Sequence, residues 1–385
     1  MPDTTTLSIT SILLILLILL KFLTNPSENY ELLNSKKYFY ETSHSLEENY
    51  EWLQHINNEY SEFISVFDLG RSFEGREVKG LKISLPDKSR KKAKPNKTSK
   101  KAVIINSGLH AREWAVPVHL INLVGKIIRM VGMTGDKDID SELLSYLSEI
   151  DLIILPHTNP DGYKFSFDNK NSDRFWRRTR STHYDFITGV DANRNFPIAW
   201  NRTDIDPYTD PLSERFYDDN YRGPSAASEP SVQSLIKYLK RMSANYEDLA
   251  YLDVHCCVQA IFTPFAYKSS ELISPDKEIL SEMAEEMSIA IENISKLTFS
   301  HGSVSLLYGR TTGTSTDYAY EELGIRCSLA VEMRTPKDIS ERTVDEEDRF
   351  DKFLVNDEDI EILTEEMLAA YKVVLRNVKE GNCWL

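Results

Sequence analysis

Cysteine is scarce in this chain, positive charge is outweighed by negative, and only one stretch is a long apolar run. Four cysteines among 385 residues exclude a dense disulfide framework, so stability must come from a buried apolar core. Four cysteines allow three complete pairings. The adjacent Cys256 and Cys257 are expected not to bond each other, because that bond strains the backbone, and they read as small buried side chains. Lys and Arg number 45 against 60 Asp and Glu, a formal net charge of −15. That imbalance argues against nucleic acid as the main partner, since phosphate binding needs concentrated positive charge, and it favours solubility. A hydrophobic content of 41% excludes disorder. There is no internal repeat. The basic stretch from Lys88 to Lys101 is the one biased segment; having almost nothing to bury, it reads as a solvated loop between strands, with a glycosylation sequon at Asn96.

The apolar run, Leu7 to Leu20, is shorter than the roughly 20 residues of a membrane span. Residues 1–24 therefore read as a signal peptide. The segment before the run carries Asp3 but no Lys or Arg, and no small-residue cleavage site follows, which leaves an uncleaved signal anchor as the alternative. Only that alternative would attach the chain to a membrane. Sequons at Asn96, Asn201 and Asn293 agree with a secreted, extracellular glycoprotein.

Further along, helical spacing marks Tyr38 to Tyr60, and strand patterns follow at Ser65 to Asp68 and Val78 to Leu85. Val103-Ile-Ile105 reads as a buried strand, Ala115 to Val131 as a helix apolar over most of its circumference, and Asp151 to Leu155 as another buried strand. Strand, long helix and strand predict an α/β fold: a mixed, largely parallel central sheet with helices on both faces. Asn201 to Asn220 reads as a long loop. Ser228 to Met242 predicts a helix with Ser228 as cap and Pro230 in its first turn. A strand at Leu249–Val254, a helix at Lys277–Lys296, a strand at Arg326–Glu332 and a final helix at Asp357–Lys379 complete the pattern.

The most informative stretch is Asn106-Ser-Gly-Leu-His110-Ala-Arg112-Glu113-Trp114. An imidazole and a carboxylate three residues apart, entering a turn after an apolar strand, can face one cation if a third ligand comes from elsewhere. Four more stretches follow: Arg174-Phe-Trp-Arg177-Arg-Thr-Arg, Gly189-Val-Asp191-Ala-Asn193-Arg194-Asn-Phe, Asp253-Val-His255 and Val331-Glu332-Met-Arg. In this order and spacing they resemble the zinc metallocarboxypeptidases of the pancreatic carboxypeptidase A/B type, over residues 38 to 380.

That resemblance implies a catalytic domain over the same span, one Zn²⁺ per chain held by His110, Glu113 and His255, and Asp191 orienting His110 from behind. It implies Glu332 as the base that activates water, and Arg177 as the cation that stabilises the oxyanion. Asn193 and Arg194 match the clamp for a substrate's free carboxylate, and Arg112 lines the approach. Tyr308 corresponds to a lid tyrosine, but it stands five residues before Gly313 (313 − 308) where the family has four. Thr316, Val304 and Ala266 fall at the pocket for the C-terminal side chain; their neutral character predicts apolar or aromatic specificity. The expected substrates are peptide and protein C-termini, and the expected state is a monomer. No room remains between leader and first helix for the inhibitory pro-segment of roughly a hundred residues that pancreatic relatives carry. A catalytically silent binding protein of the same fold is the alternative, and a zinc endopeptidase or amidase is a further one.

Overall fold

A computed structural model describes residues 40, 42–85, 101–132, 140–168, 173–183, 187–202, 218–269, 276–335 and 351–384. The leader, the basic stretch up to residue 100, and most of the 201–220 loop lie outside the described residues.

The first helix bounded within the described residues, α1 (Leu46–Glu59), starts at a capping box in which Ser45 and Glu48 satisfy each other's backbone amides. These groups would lack partners inside the helix, so the box sets its start at Leu46, later than the sequence periodicity suggests. Antiparallel strands β1 (Ile64–Arg71) and β2 (Glu77–Ile83) follow, then β3 (Lys101–Ser107), helix α2 (Ala115–Gly132), helix α3 (Ser141–Leu147), strand β4 (Ile150–Leu155) and helix α4 (Pro160–Phe167). A short ribbon joins β5 (Thr182–His183) to β6 (Ile187–Thr188). Helix α5 (Pro230–Asn245), strands β7 (Asp248–Cys256) and β8 (Ala260–Thr263), helix α6 (Asp276–Ser295), strand β9 (Ser300–Ser303), helix α7 (Val304–Leu307), strand β10 (Cys327–Met333) and helix α8 (Asp357–Glu380) complete the chain.

Eight strands form one sheet in the order β1-β2-β4-β3-β7-β10-β8-β9. Its centre is parallel, with β4, β3, β7 and β10 running together, while β1, β2 and β8 introduce antiparallel pairings. Every residue of β4 and β7 is buried. That burial requires cover on both faces and explains the continuous apolar runs. Helix α8 packs against both α2 and α6 and also lies on β3, β4 and β7, while α1 and α5 pack on β1. By length and composition α2 could cross a membrane, but here most of it is buried inside the fold.

One local expectation is revised. Ser228 does not cap α5: Glu229 is the cap residue, and Ser228 instead donates to the Glu229 carboxylate at 3.0 Å. Glu229 is fully buried because Thr179, Ser181 and His183 surround its carboxylate. The C-terminus is tied to the sheet by a Cys327–Cys383 disulfide and by Leu249 N–H donating to the Cys383 carbonyl.

Candidate active site

The site is built at the end of the parallel strands. Gly108 ends β3 with φ at +72°, and a Cβ there would lie 2.9 Å from the Pro156 carbonyl oxygen. Only glycine suits this left-handed turn, which carries the chain off the sheet and delivers His110 and Glu113. Strand β7 is paired in parallel to both β3 and β10, with Glu332 opposite His255. This register assembles the three groups from residues as much as 222 positions apart (332 − 110).

His110, Glu113 and His255 are all buried, and one ligand-type atom from each lies within 4.8 Å of the others. Nδ1 of His110 is 2.8 Å from one Glu113 oxygen and Nδ1 of His255 is 3.0 Å from the other. The opposite nitrogens are held from behind: His110 Nε2 lies 3.1 Å from Asp191, and His255 Nε2 2.9 Å from Asp253. Two imidazoles turned inward by buried carboxylates, around a third carboxylate, match the donor set and outer support of a catalytic zinc site. A further sign of fit is Glu332 Oε2, an enclosed atom that has no hydrogen-bond partner among the described residues. A buried acceptor of that kind calls for water or an ion.

Electrostatics follow from this crowding. Burial alone would raise the Glu113 carboxyl, but the two imidazoles overcome it and hold Glu113 well below the usual range. Asp191 behaves likewise, with Arg177 and His110 overcoming its burial. For Glu332 burial wins, and the carboxyl is pushed up to about 7. Arg334, two residues on, does not pair with it. That guanidinium instead donates to Glu366 at 2.9 Å and lies 3.8 Å from Asp359, both outside the site.

Arg177 donates from Nε and Nη2 to Asp191 at 3.0 and 2.8 Å, and its Nη1 stands 3.2 Å from His110 Nδ1. Asn193 accepts from Ser315 N–H at 2.8 Å and lies 3.2 Å from His255 Nε2. Arg194 donates to the Asn193 carbonyl at 2.9 Å and has no carboxylate partner among the described residues. Gly313, at φ +70°, passes so close to the Arg194 carbonyl that a Cβ would lie 2.2 Å away. Close approach there presses the 311–316 loop against the cleft.

These side chains line a cleft of about 190 Å³ shared with Arg112, Val304, Ala266 and Thr316. Two sequence-predicted residues are not in the cleft lining: Asp191, which lies behind His110, and Tyr308. Tyr308 is 60% exposed and stands edge-on to Phe262, with ring centres 5.2 Å apart. The expectation about adjacent cysteines is also corrected. Cys256 and Cys257 are joined to each other by a disulfide, with a cis peptide between them and their Cα atoms 3.0 Å apart.

Sequence reasoning assigned no role to Asp253, Ser315, Asp317 or Lys352. A signal for Asp253 was present, since residues two apart on a strand share a face and it precedes His255 by two. Ser315 donates to the same Asp253 oxygen as His255 approaches. Asp317 accepts from the amides of Ala266 at 2.8 Å and Tyr267 at 3.2 Å, and burial pushes its carboxyl up to about 7. No local pattern marks Lys352.

Comparison with known proteins decides the assignment: the family model described as zinc carboxypeptidase matches residues 49–370. The chain belongs to the zinc carboxypeptidase family. It is similar to human carboxypeptidase A6, with 33% identity over 77% of this chain and 61% of that one. It is also similar to human carboxypeptidase B2, with 31% identity over 77% and 64% respectively. Among solved structures, bovine thrombin-activatable fibrinolysis inhibitor in complex with tick carboxypeptidase inhibitor superposes with a TM-score of 0.71 at 29% identity, covering 89% of this chain and 99% of that one. The chain thus spans less than two thirds of the length of these curated relatives.

Proposed function

We propose that this carboxypeptidase-family protein is a zinc-dependent exopeptidase that removes the C-terminal residue of peptides and proteins. The observation that carries the reading is Arg194: a guanidinium free of carboxylates among the described residues, in the same cleft as the His–Glu–His group. A guanidinium with no carboxylate partner can hold a terminal carboxylate through two parallel hydrogen bonds, which an endopeptidase does not need.

His110 and His255, through Nδ1, and Glu113 would hold the zinc ion. When bound, that ion supplies a Lewis acid that polarises the scissile carbonyl and makes a nearby water more acidic. Glu332 takes the proton from the attacking water and then delivers it to the leaving amine. Burial raises this carboxyl above the ordinary carboxylate range, which favours its taking up a proton and passing it on. Arg177, locked by Asp191, presents a fixed positive charge where the carbonyl oxygen becomes anionic. Asp191 and Asp253 keep the two imidazoles in the orientation that leaves Nδ1 facing inward.

Val304, Ala266 and Thr316 make the recess for the departing side chain neutral, which favours apolar or aromatic C-terminal residues. The apolar leader and the sequons support secretion, and a monomer is proposed. The test compares a blocked dipeptide ending in Phe with the same peptide amidated at its C-terminus, with and without chelator. Cleavage of the free acid alone, abolished by chelation, is expected. Equal cleavage of the amide would mean an endopeptidase or amidase, and cleavage of neither would mean a silent binding protein.

A further inference from the structure

The cleft has an end that the proposed reaction leaves unused. Sheet order β3-β7-β10-β8 sets its direction: Arg112 follows β3, Glu332 lies near the end of β10, and Ala266 follows β8. The recess of Val304, Ala266 and Thr316 is therefore on the β8 side, and Arg112 is on the β3 side.

Arg174 fastens the short turn Asp351–Phe353 to that β3 side, donating to the Arg112 carbonyl at 2.9 Å and to the Phe353 carbonyl at 2.7 Å. The Arg112 guanidinium lies 4.5 Å from the centre of the Phe353 ring. This attachment carries Lys352 into the cleft wall. Arg112 is already offset by Asp219 at 2.9 Å. Lys352 is not: its ammonium stands 5.2 Å from the centre of the Phe353 ring and pairs with no carboxylate among the described residues. Its charge is also felt at the Glu332 carboxyl.

The exopeptidase reading, on which this inference rests, orients the substrate. Its terminal carboxylate is on Arg194 and its terminal side chain is in the β8-side recess, so the residues preceding the scissile bond run toward Arg112 and Lys352. We propose that Lys352 is a specificity-determining residue that favours acidic side chains in the two positions immediately before the scissile bond. A half-buried ammonium beside an aromatic ring is less screened than a surface charge, so it discriminates between opposite charges more strongly than an exposed pair would.

The test uses three blocked peptides ending in Phe, with Glu-Glu, Ala-Ala or Lys-Lys before the scissile bond. Expected is a kcat/KM for the Glu peptide about tenfold above that for the Ala peptide, with the Lys peptide lowest, and a spread that shrinks as salt is raised. Lys352→Ala should flatten the series and Lys352→Glu should reverse it. Binding of the uncut peptides to Glu332→Gln protein should follow the same order, separating recognition from turnover. Equal values for all three peptides, or an order that Lys352→Glu leaves unaltered, would overturn this proposal while the exopeptidase reading stands. Cleavage of none of the three would overturn both.

Discussion

Glu332 is the residue on which most of the proposed chemistry converges. It is half-buried, its enclosed Oε2 has no hydrogen-bond partner among the described residues, and its neighbour Arg334 is committed elsewhere. Glu332→Gln preserves shape but removes the basic oxygen, so water activation and amine protonation fail together. kcat should fall by more than the 10²- to 10⁴-fold typical of one acid–base group, while zinc content by elemental analysis stays unchanged. Loss of zinc would show that Glu332 is instead a ligand. The second residue-scale prediction concerns Thr316, which lines the recess with no charge of its own. Burying a Lys side chain there leaves its ammonium unpaired, whereas Phe or Leu gains roughly 1.5 to 3 kcal/mol from burial. Phe-terminated peptides should accordingly outpace Lys-terminated ones. Thr316→Asp should narrow or invert the ratio of their kcat/KM values, and an unchanged ratio would place the recess elsewhere.

Among the elements, the packing of α2 against α8 contains a buried titratable group. His119 on α2 lies 2.8 Å from the Tyr371 hydroxyl of α8 and 3.3 Å from the Ala115 carbonyl. Burial lowers this imidazole from 6.5 to about 4. A depressed value in the folded state means the fold holds the neutral form. The associated stability is complete above pH 6.5 and is lost as pH falls through 4, amounting to about 3 kcal/mol for a shift of this size. In denaturant melts, His119→Gln should therefore show a shallower loss of stability between pH 6.5 and 4 than the unaltered protein. Parallel pH curves would mean His119 is not the group responsible. His157, lowered from 6.5 to about 3 by burial, adds its own loss from pH 6.5 down to 3 that this substitution leaves intact, so the variant's curve becomes shallower but not flat.

At the scale of the whole molecule, the metal group links segments that meet only when the sheet is complete. His110 and Glu113 depend on the turn after β3, His255 on the end of β7 and Asp191 on the loop before α5. An ion that binds only the assembled site stabilises the fold by mass action, by about 2.7 kcal/mol when free zinc is a hundredfold above its dissociation constant. Chelation should lower Tm by roughly 5 °C for a chain of this size, and added zinc should restore it. His110→Ala should have a Tm that neither chelator nor zinc moves. A Tm in the unaltered protein that ignores chelator would argue against a bound structural contribution from the metal.

The sequence by itself determined what depends on neighbours along the chain. Apolar periodicity marked α2 and α8, the uninterrupted runs marked β3, β4 and β7, and the spacing of His110 and Glu113 put two donors on one turn. Even the boundary of α1 was written locally, in the Ser45–Glu48 capping box, although helical spacing alone extended it too far. Shape of the recess was legible to the extent that Val304, Ala266 and Thr316 line one cleft. What only the tertiary structure decided is pairing between distant segments: Asp253 behind His255, Arg334 with Glu366 rather than Glu332, Cys327 with Cys383, and Lys352 at the far end of the cleft. Periodicity reports that a face is buried but carries no information about which face it meets. That choice is made by strand register and by the global arrangement of charges. The exposed position of Tyr308 has the same origin, because the orientation of the α7 segment is set by its contacts with Phe262 and Phe265, not by its own sequence.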